Sequence, residues 1–165
     1  MKLKDAIKEI SECDELKEWK LKNKEGYLSV IFVMMDEKQK SEWQFGYYNP
    51  ENEKMASFFV FEDGIKESEE SEVFKEPGAK VKELDLSKVK VWVDESLKTA
   101  NDLQEKKYPK ESPEKVIMIL QNIEEGLLWN ITYVTRAFNT LNMKVDAITG
   151  KIISDKLTNL MQFRA

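Results

Sequence analysis

Apolar residues recur every three or four positions at the start of the chain, where Leu3, Ala6, Ile7, Ile10, Cys13 and Leu16 are separated by charges. That spacing places them on one side of a helix spanning about residues 3 to 18. The period then changes. YLSVIFVMM, residues 27 to 35, is β-branched and aromatic and too short and stiff for a typical helix, so it reads as a buried strand. From residue 42, EWQFGYYN alternates Trp43, Phe45 and Tyr47 on one face. After the turn pair Asn49-Pro50, KMASFFVFEDG predicts a third strand ending at Asp63-Gly64.

Residues 66 to 80, KESEESEVFKEPGAK, carry a Glu/Ser run followed by Pro77-Gly78, the signature of an exposed linker. Leu84, Leu86, Val89, Val91 and Val93 alternate imperfectly and predict extended chain. Asp94 is the expected N-cap of a second helix, with Val93, Leu97, Ala100 and Leu103 as its stripe and Pro109 as its stop. Three further strands follow in VIMILQNI, LLWNITYVT and NTLNMKVDAITG. In the tail, Ile153, Leu157, Leu160 and Met161 stand at helical spacing and predict a short closing helix.

The second half therefore repeats the order of the first. A shift of 86 residues lays 30–66 on 116–152 without a gap, matching Val30 and Ile31 to Val116 and Ile117, Trp43 to Trp129, Tyr47 to Tyr133 and Gly64 to Gly150. Met55 falls on Leu141 and Phe59 on Val145 in the same alignment. The expectation is an α+β protein of two similar units, each a helix on a three-stranded antiparallel meander. The first covers 1–66, an acidic linker and extended segment covers 67–90, and the second unit with the closing helix covers 91–165.

With the unit so defined, the chain resembles tandem PepSY-like domains. Val145-Asp146-Ala147-Ile148-Thr149-Gly150-Lys151-Ile152 is similar to that family's closing strand and turn, and Val91 through Ala100, VWVDESLKTA, to the entry of its helix. The first half keeps the glycine in Phe61-Glu62-Asp63-Gly64, with Val60 aligned to Asp146. The resemblance implies a cystatin-like α+β unit without catalysis, associated in its relatives with holding or inhibiting a peptidase. Those relatives are exported, whereas no secretory leader is legible here, and the expectation is a cytoplasmic protein.

Asp146-Ala-Ile-Thr149-Gly150 reads as a turn: Gly150 supplies positive φ, while the Asp146 carboxylate or Thr149 hydroxyl takes up freed backbone N–H groups. Gly64 does the same after Asp63. Trp43 and Tyr47, and likewise Trp129 and Tyr133, share a strand face and are expected to pack beneath a helix; a ligand platform is the alternative. No residue of the 165 is histidine, which removes the usual general base, the Ser-His and Cys-His nucleophiles and the commonest metal ligand. No phosphate loop, CxxC pair or GxSxG elbow occurs, so no cofactor or metal site is expected; a carboxylate enzyme would have to use Glu124-Glu125 or Asp36-Glu37.

The net charge of -5 combines 26 basic with 31 acidic residues and no basic run, which argues against nucleic acid. No stretch approaches 18 uncharged residues, so no helical membrane span is expected. Cys13 is the only cysteine and is expected as a small core residue of the first helix. These readings point to non-enzymatic binding of a protein or peptide on a sheet face or edge. Self-association as a scaffold and a small-molecule or catalytic pocket between the units are the competing classes.

Overall fold

The computed structural model describes residues 1–36, 42–73, 75 and 77–164. Helix α1 spans Leu3–Glu12 and α2 spans Asp14–Lys22. Strands β1 (Tyr27–Asp36), β2 (Trp43–Asn49), β3 (Lys54–Phe61), β4 (Gly64–Glu67) and β5 (Ser71–Glu72) follow. A 3-10 turn at Leu86–Lys88 leads to α3 (Val93–Lys107), then β6 (Pro113–Ile123), β7 (Gly126–Thr135), β8 (Asn139–Asp146) and β9 (Ile152–Asn159), with a 3-10 turn at Leu160–Arg164. The protein is α+β.

All the strands belong to one antiparallel sheet in the order β4-β3-β2-β1-β6-β7-β8-β9, with β5 also on β3. The two halves meet where β1 pairs β6, Val33 opposite Met118 and Ile31 opposite Leu120. One face of the sheet is closed. Ile31, Val33, Trp43, Phe45, Tyr47, Ala56, Phe58 and Val60 point into it from the first half, and Met118, Leu120, Trp129, Ile131, Tyr133, Leu141, Met143 and Val145 from the second, all 6% exposed or less. Leu3, Ala6, Ile10, Leu16 and Trp19 of α1 and α2, and Ala100 of α3, join this core. Burial of so many large side chains from water is what holds the helices to the sheet.

Several expectations need correction. Each half contributes four long-sheet strands, because the chain past Gly64 and past Gly150 returns as β4 and β9. The predicted closing helix is instead strand β9, paired with β8 through Leu157 opposite Leu141, and only a 3-10 turn follows. An edge strand with one wet side needs no strict alternation, so its three-and-four spacing misleads. The extended segment 84–92 is interrupted by the 3-10 turn at Leu86–Lys88 and buries Leu84 and Val89. The first helix breaks at Cys13, whose extended backbone ends α1 and starts α2, with its sulfur accepting the Leu16 N–H at 3.4 Å. For α3 the N-cap is Trp92, not Asp94, and the Glu95 carboxylate accepts the Trp92 N–H.

With β2 laid on β7 by the shift of 86 residues, the strands on either side fall out of phase. Val60 lies opposite Trp43 and Val145 opposite Trp129, so β3 matches β8 one residue short of 86. Ile31 lies opposite Phe45 and Met118 opposite Ile131, so β1 matches β6 one residue beyond it. Val60 is therefore the counterpart of Val145, not of Asp146. Met55 and Phe59 face away from the core that holds Leu141 and Val145.

Candidate binding surfaces

The two tryptophans that align in sequence occupy matching positions. The Trp43 indole N–H donates to the Met1 carbonyl at 3.1 Å, and that of Trp129 to the Val91 carbonyl at 2.9 Å, each two residues before a helix begins. Tyr133 donates its hydroxyl to the Asn101 side-chain oxygen on α3. Tyr47 instead packs its ring on Trp19 of α2, centroids 5.7 Å apart, and edge-on to Phe58 at 5.6 Å. Burial pushes the hydroxyls of both tyrosines up to about 12, with the Cys13 thiolate adding to the effect at Tyr47. All four rings are 6% exposed or less, so they form helix seats and offer no open platform.

The turn residues sit as their chemistry requires. Asp146 accepts the Ile148 and Thr149 N–H groups at 2.7 and 2.9 Å, and Gly150 at φ +76° closes the turn onto the Asp146 carbonyl. The Thr149 hydroxyl accepts the Lys151 N–H at 3.3 Å. In the first half a tighter turn places Phe61 opposite Gly64, with Glu62 and Asp63 at its tip and Gly64 at φ +144°. Glu125 is drawn to Lys144 at 2.6 Å, which holds its carboxyl below the usual range. Asp36 pairs with Lys115 at 3.5 Å, while Glu37 lies outside the described residues. Among the described residues no three His, Cys, Asp or Glu side chains are grouped to hold a metal.

Two apolar surfaces near the sequence-predicted residues stand out among the described residues. An open cleft of about 520 Å³ lies where the starts of α1 and α3 approach each other over β1 and β2. Val33, Met35, Trp43 and Leu97 line its apolar part, with Lys2, Lys4, Asp94 and Glu95 at its polar part. The Lys4 ammonium stands over the Trp92 ring, 5.4 Å from its centroid. Sequence reasoning missed Trp92 and Met35 here, because only the β1–β6 junction brings α1 beside α3.

The second surface is the sheet face opposite the helices. Cross-strand register puts Phe59, Gln44, Phe32 and Ile119 in one row and Met34 beside Ile117 in the next. Phe61 follows Phe59 on the same side, with Lys66 over its ring at 4.9 Å. These side chains are half-buried, except Met34, which is exposed. The strands alternate, so what faces away from the helix layer was legible, but its continuity across both halves was not.

No family model matches the chain, and no curated protein matches it. Among solved structures it is similar to the crystal structure of a "putative lipoprotein" from Clostridium difficile 630, with a TM-score of 0.58 and 13% identity over 87% of this chain and 90% of that one. The likeness shows a shared fold. No helix among the described residues is long and apolar enough to cross a membrane.

Proposed function

We propose that the protein is a non-enzymatic binding protein that takes a polypeptide partner on the sheet surface its helices leave uncovered. The carrying observation is that uncovered face: Phe32, Met34, Phe59, Phe61, Ile117 and Ile119 form an apolar field on a sheet whose three helices all lie on the other side. Gln44 alone interrupts the row, and an apolar field of this kind at a protein surface is the usual mark of an interaction site. The lack of histidine, which removes the usual general base, supports a role without catalysis.

The two halves, in this reading, descend from one duplicated helix-and-meander unit of the PepSY-like, cystatin-like kind. Support comes from the paired indole bonds ahead of α1 and α3 and from the valines set opposite both tryptophans. The partner class follows from the surface, and a peptidase is one such partner through the resemblance alone. Phe59→Ser and Ile119→Ser should abolish capture of that partner while leaving the melting temperature within a few degrees, since both side chains are already half in water. Undiminished capture by the folded variants would sink the proposal.

The cleft over β1 and β2 favours a second reading, a small apolar ligand bound between the halves. A saturable ligand that raises the melting temperature of the native chain but not of Trp92→Ala would select it. A solution mass in multiples of 19.3 kDa would select self-association instead.

A further inference from the structure

The edge of the sheet at β9 combines three features that the rest of the surface lacks. Phe138, Ile153, Leu157, Leu160 and Met161 are all large, apolar and exposed, from 37% at Leu160 to 70% at Phe138. They lie along β9, in the 3-10 turn after it and in the β7–β8 turn, which is tied to that turn by the Leu160 N–H bond to the Phe138 carbonyl at 3.1 Å. No described strand pairs the outer side of β9. Its backbone donors and acceptors therefore face solvent along an eight-residue strand, a ready template for another strand.

Charge distinguishes this edge from the opposite one. Lys151 and Lys156 are exposed beside β9, and its acid, Asp155, is already held by Lys107 at 2.7 Å and by the Tyr108 hydroxyl. The far edge, β4 with β5, carries Glu67, Glu69, Glu70 and Glu72 against Lys66 alone. One free edge is basic and apolar, the other acidic.

Phe138 is the third feature. It adopts left-handed backbone at φ +59°, unusual for a bulky residue, yet its ring makes little contact with the core. The turn is held by a buried network: the Thr135 hydroxyl donates to Glu111 at 2.8 Å, Asn139 donates to both Glu111 oxygens at 2.9 and 3.0 Å, and the Asn139 N–H reaches the Thr135 hydroxyl at 3.2 Å. Glu111 and Thr135 are 8% and 2% exposed. A strained residue fixed by its surroundings but turned to solvent points to a use outside the fold.

We propose that the outer edge of β9 binds an extended acidic peptide as an added strand. Main-chain hydrogen bonds to β9 supply the docking, Lys151 and Lys156 meet the carboxylates, and Phe138, Leu157 and Leu160 receive its apolar side chains. The inference shares with the reading above only the premise of polypeptide binding, and adds at the sheet edge a site separate from the face that carries Phe59.

The test is selection of a displayed library of random octapeptides on the full chain. Acidic, β-branched sequences should be enriched, and their affinity should fall about tenfold or more in Lys151→Glu/Lys156→Glu. Phe138→Gly should weaken them similarly while leaving the melting temperature equal or higher, because glycine relieves the left-handed backbone. Phe59→Ser should change nothing. Enriched peptides that ignore the β9 variants and disappear with Phe59→Ser would overturn this site and keep the broader reading. No enrichment at all would overturn both. Masses in multiples of the monomer, abolished by the lysine reversals, would replace the peptide with the acidic β4–β5 edge of a second copy.

Discussion

The two halves of the sheet solve one packing problem with unequal helices. In the second half a single 15-residue helix, α3, covers the strands, and Tyr133 finds a polar partner on it. In the first half the cover is broken at Cys13 into α1 and α2, and Tyr47 finds aromatic rings instead. The helix-to-strand loop is tied down in both. Asn49 donates to Asn23 at 2.7 Å in the first half, where Thr135 donates to Glu111 at 2.8 Å in the second. Both halves thus share a tryptophan bonded ahead of a helix and a latched loop, and they differ in the helix layer above them.

The sharpest break of this comparison is removal of the seats. Trp129→Ala should destabilise the fold by about 3–5 kcal/mol, and Trp43→Ala by an amount in the same range, read from denaturant midpoints. If either cost less than about 1 kcal/mol, the two seats would not be equivalent. Next in size is an alkaline effect. Both tyrosines are pushed up to about 12 in the folded state, against about 10 in the unfolded chain. The folded state therefore keeps protons that the unfolded state loses. This stability is complete below about pH 10 and disappears as pH rises through about 12, on the order of 2 kcal/mol for each ring. Tyr47→Phe and Tyr133→Phe should each flatten the fall in urea midpoint between pH 10 and 12, and an unchanged slope would show the rings to be solvated.

Smaller effects sharpen the latch comparison. Glu111→Ala leaves the buried Thr135 hydroxyl and Asn139 amide without their acceptor and should cost about 1–3 kcal/mol. Asn23→Ala should cost about 1 kcal/mol, since Asn49 keeps its bond to the Glu51 N–H. Smallest of all, Cys13→Ser should stabilise the first half by a few tenths of a kcal/mol, up to about 1, because a hydroxyl caps α2 better than a thiol accepting at 3.4 Å. Thermal denaturation of that variant should show a higher midpoint. A lower one would mean that the half-buried sulfur matters more for packing than for capping.

Particular residues show why some of this was readable in advance. Trp43, Phe45 and Tyr47 alternate with polar neighbours, so their shared inward face follows from the strand period alone. YLSVIFVMM offers no such contrast. Both of its faces are apolar, so a one-residue slip costs nothing in the pattern, and that slip is what threw β1 and β6 out of phase. The break at Cys13 left a faint signal in Asp14-Glu15, acids suited to a helix start, but Leu16 continued the spacing of α1 and concealed it. The β9 edge was hidden more deeply: Leu157 and Leu160 suit either a helix or a strand, and only pairing with β8 chose between them.

Composition and spacing by themselves determined the α+β class, the helical start of the chain and the three meander strands of each half, the inward tryptophans and tyrosines, and the glycine turns. These are local properties, set by side-chain period and backbone sterics within a few residues. Tertiary structure alone decided that both halves share one sheet, that all three helices lie on one side of it, and that β9 is left as an apolar, basic edge. Those outcomes depend on pairings between residues nearly ninety positions apart, such as Val33 with Met118, and a strand's own residues specify that it must pair without specifying with which partner.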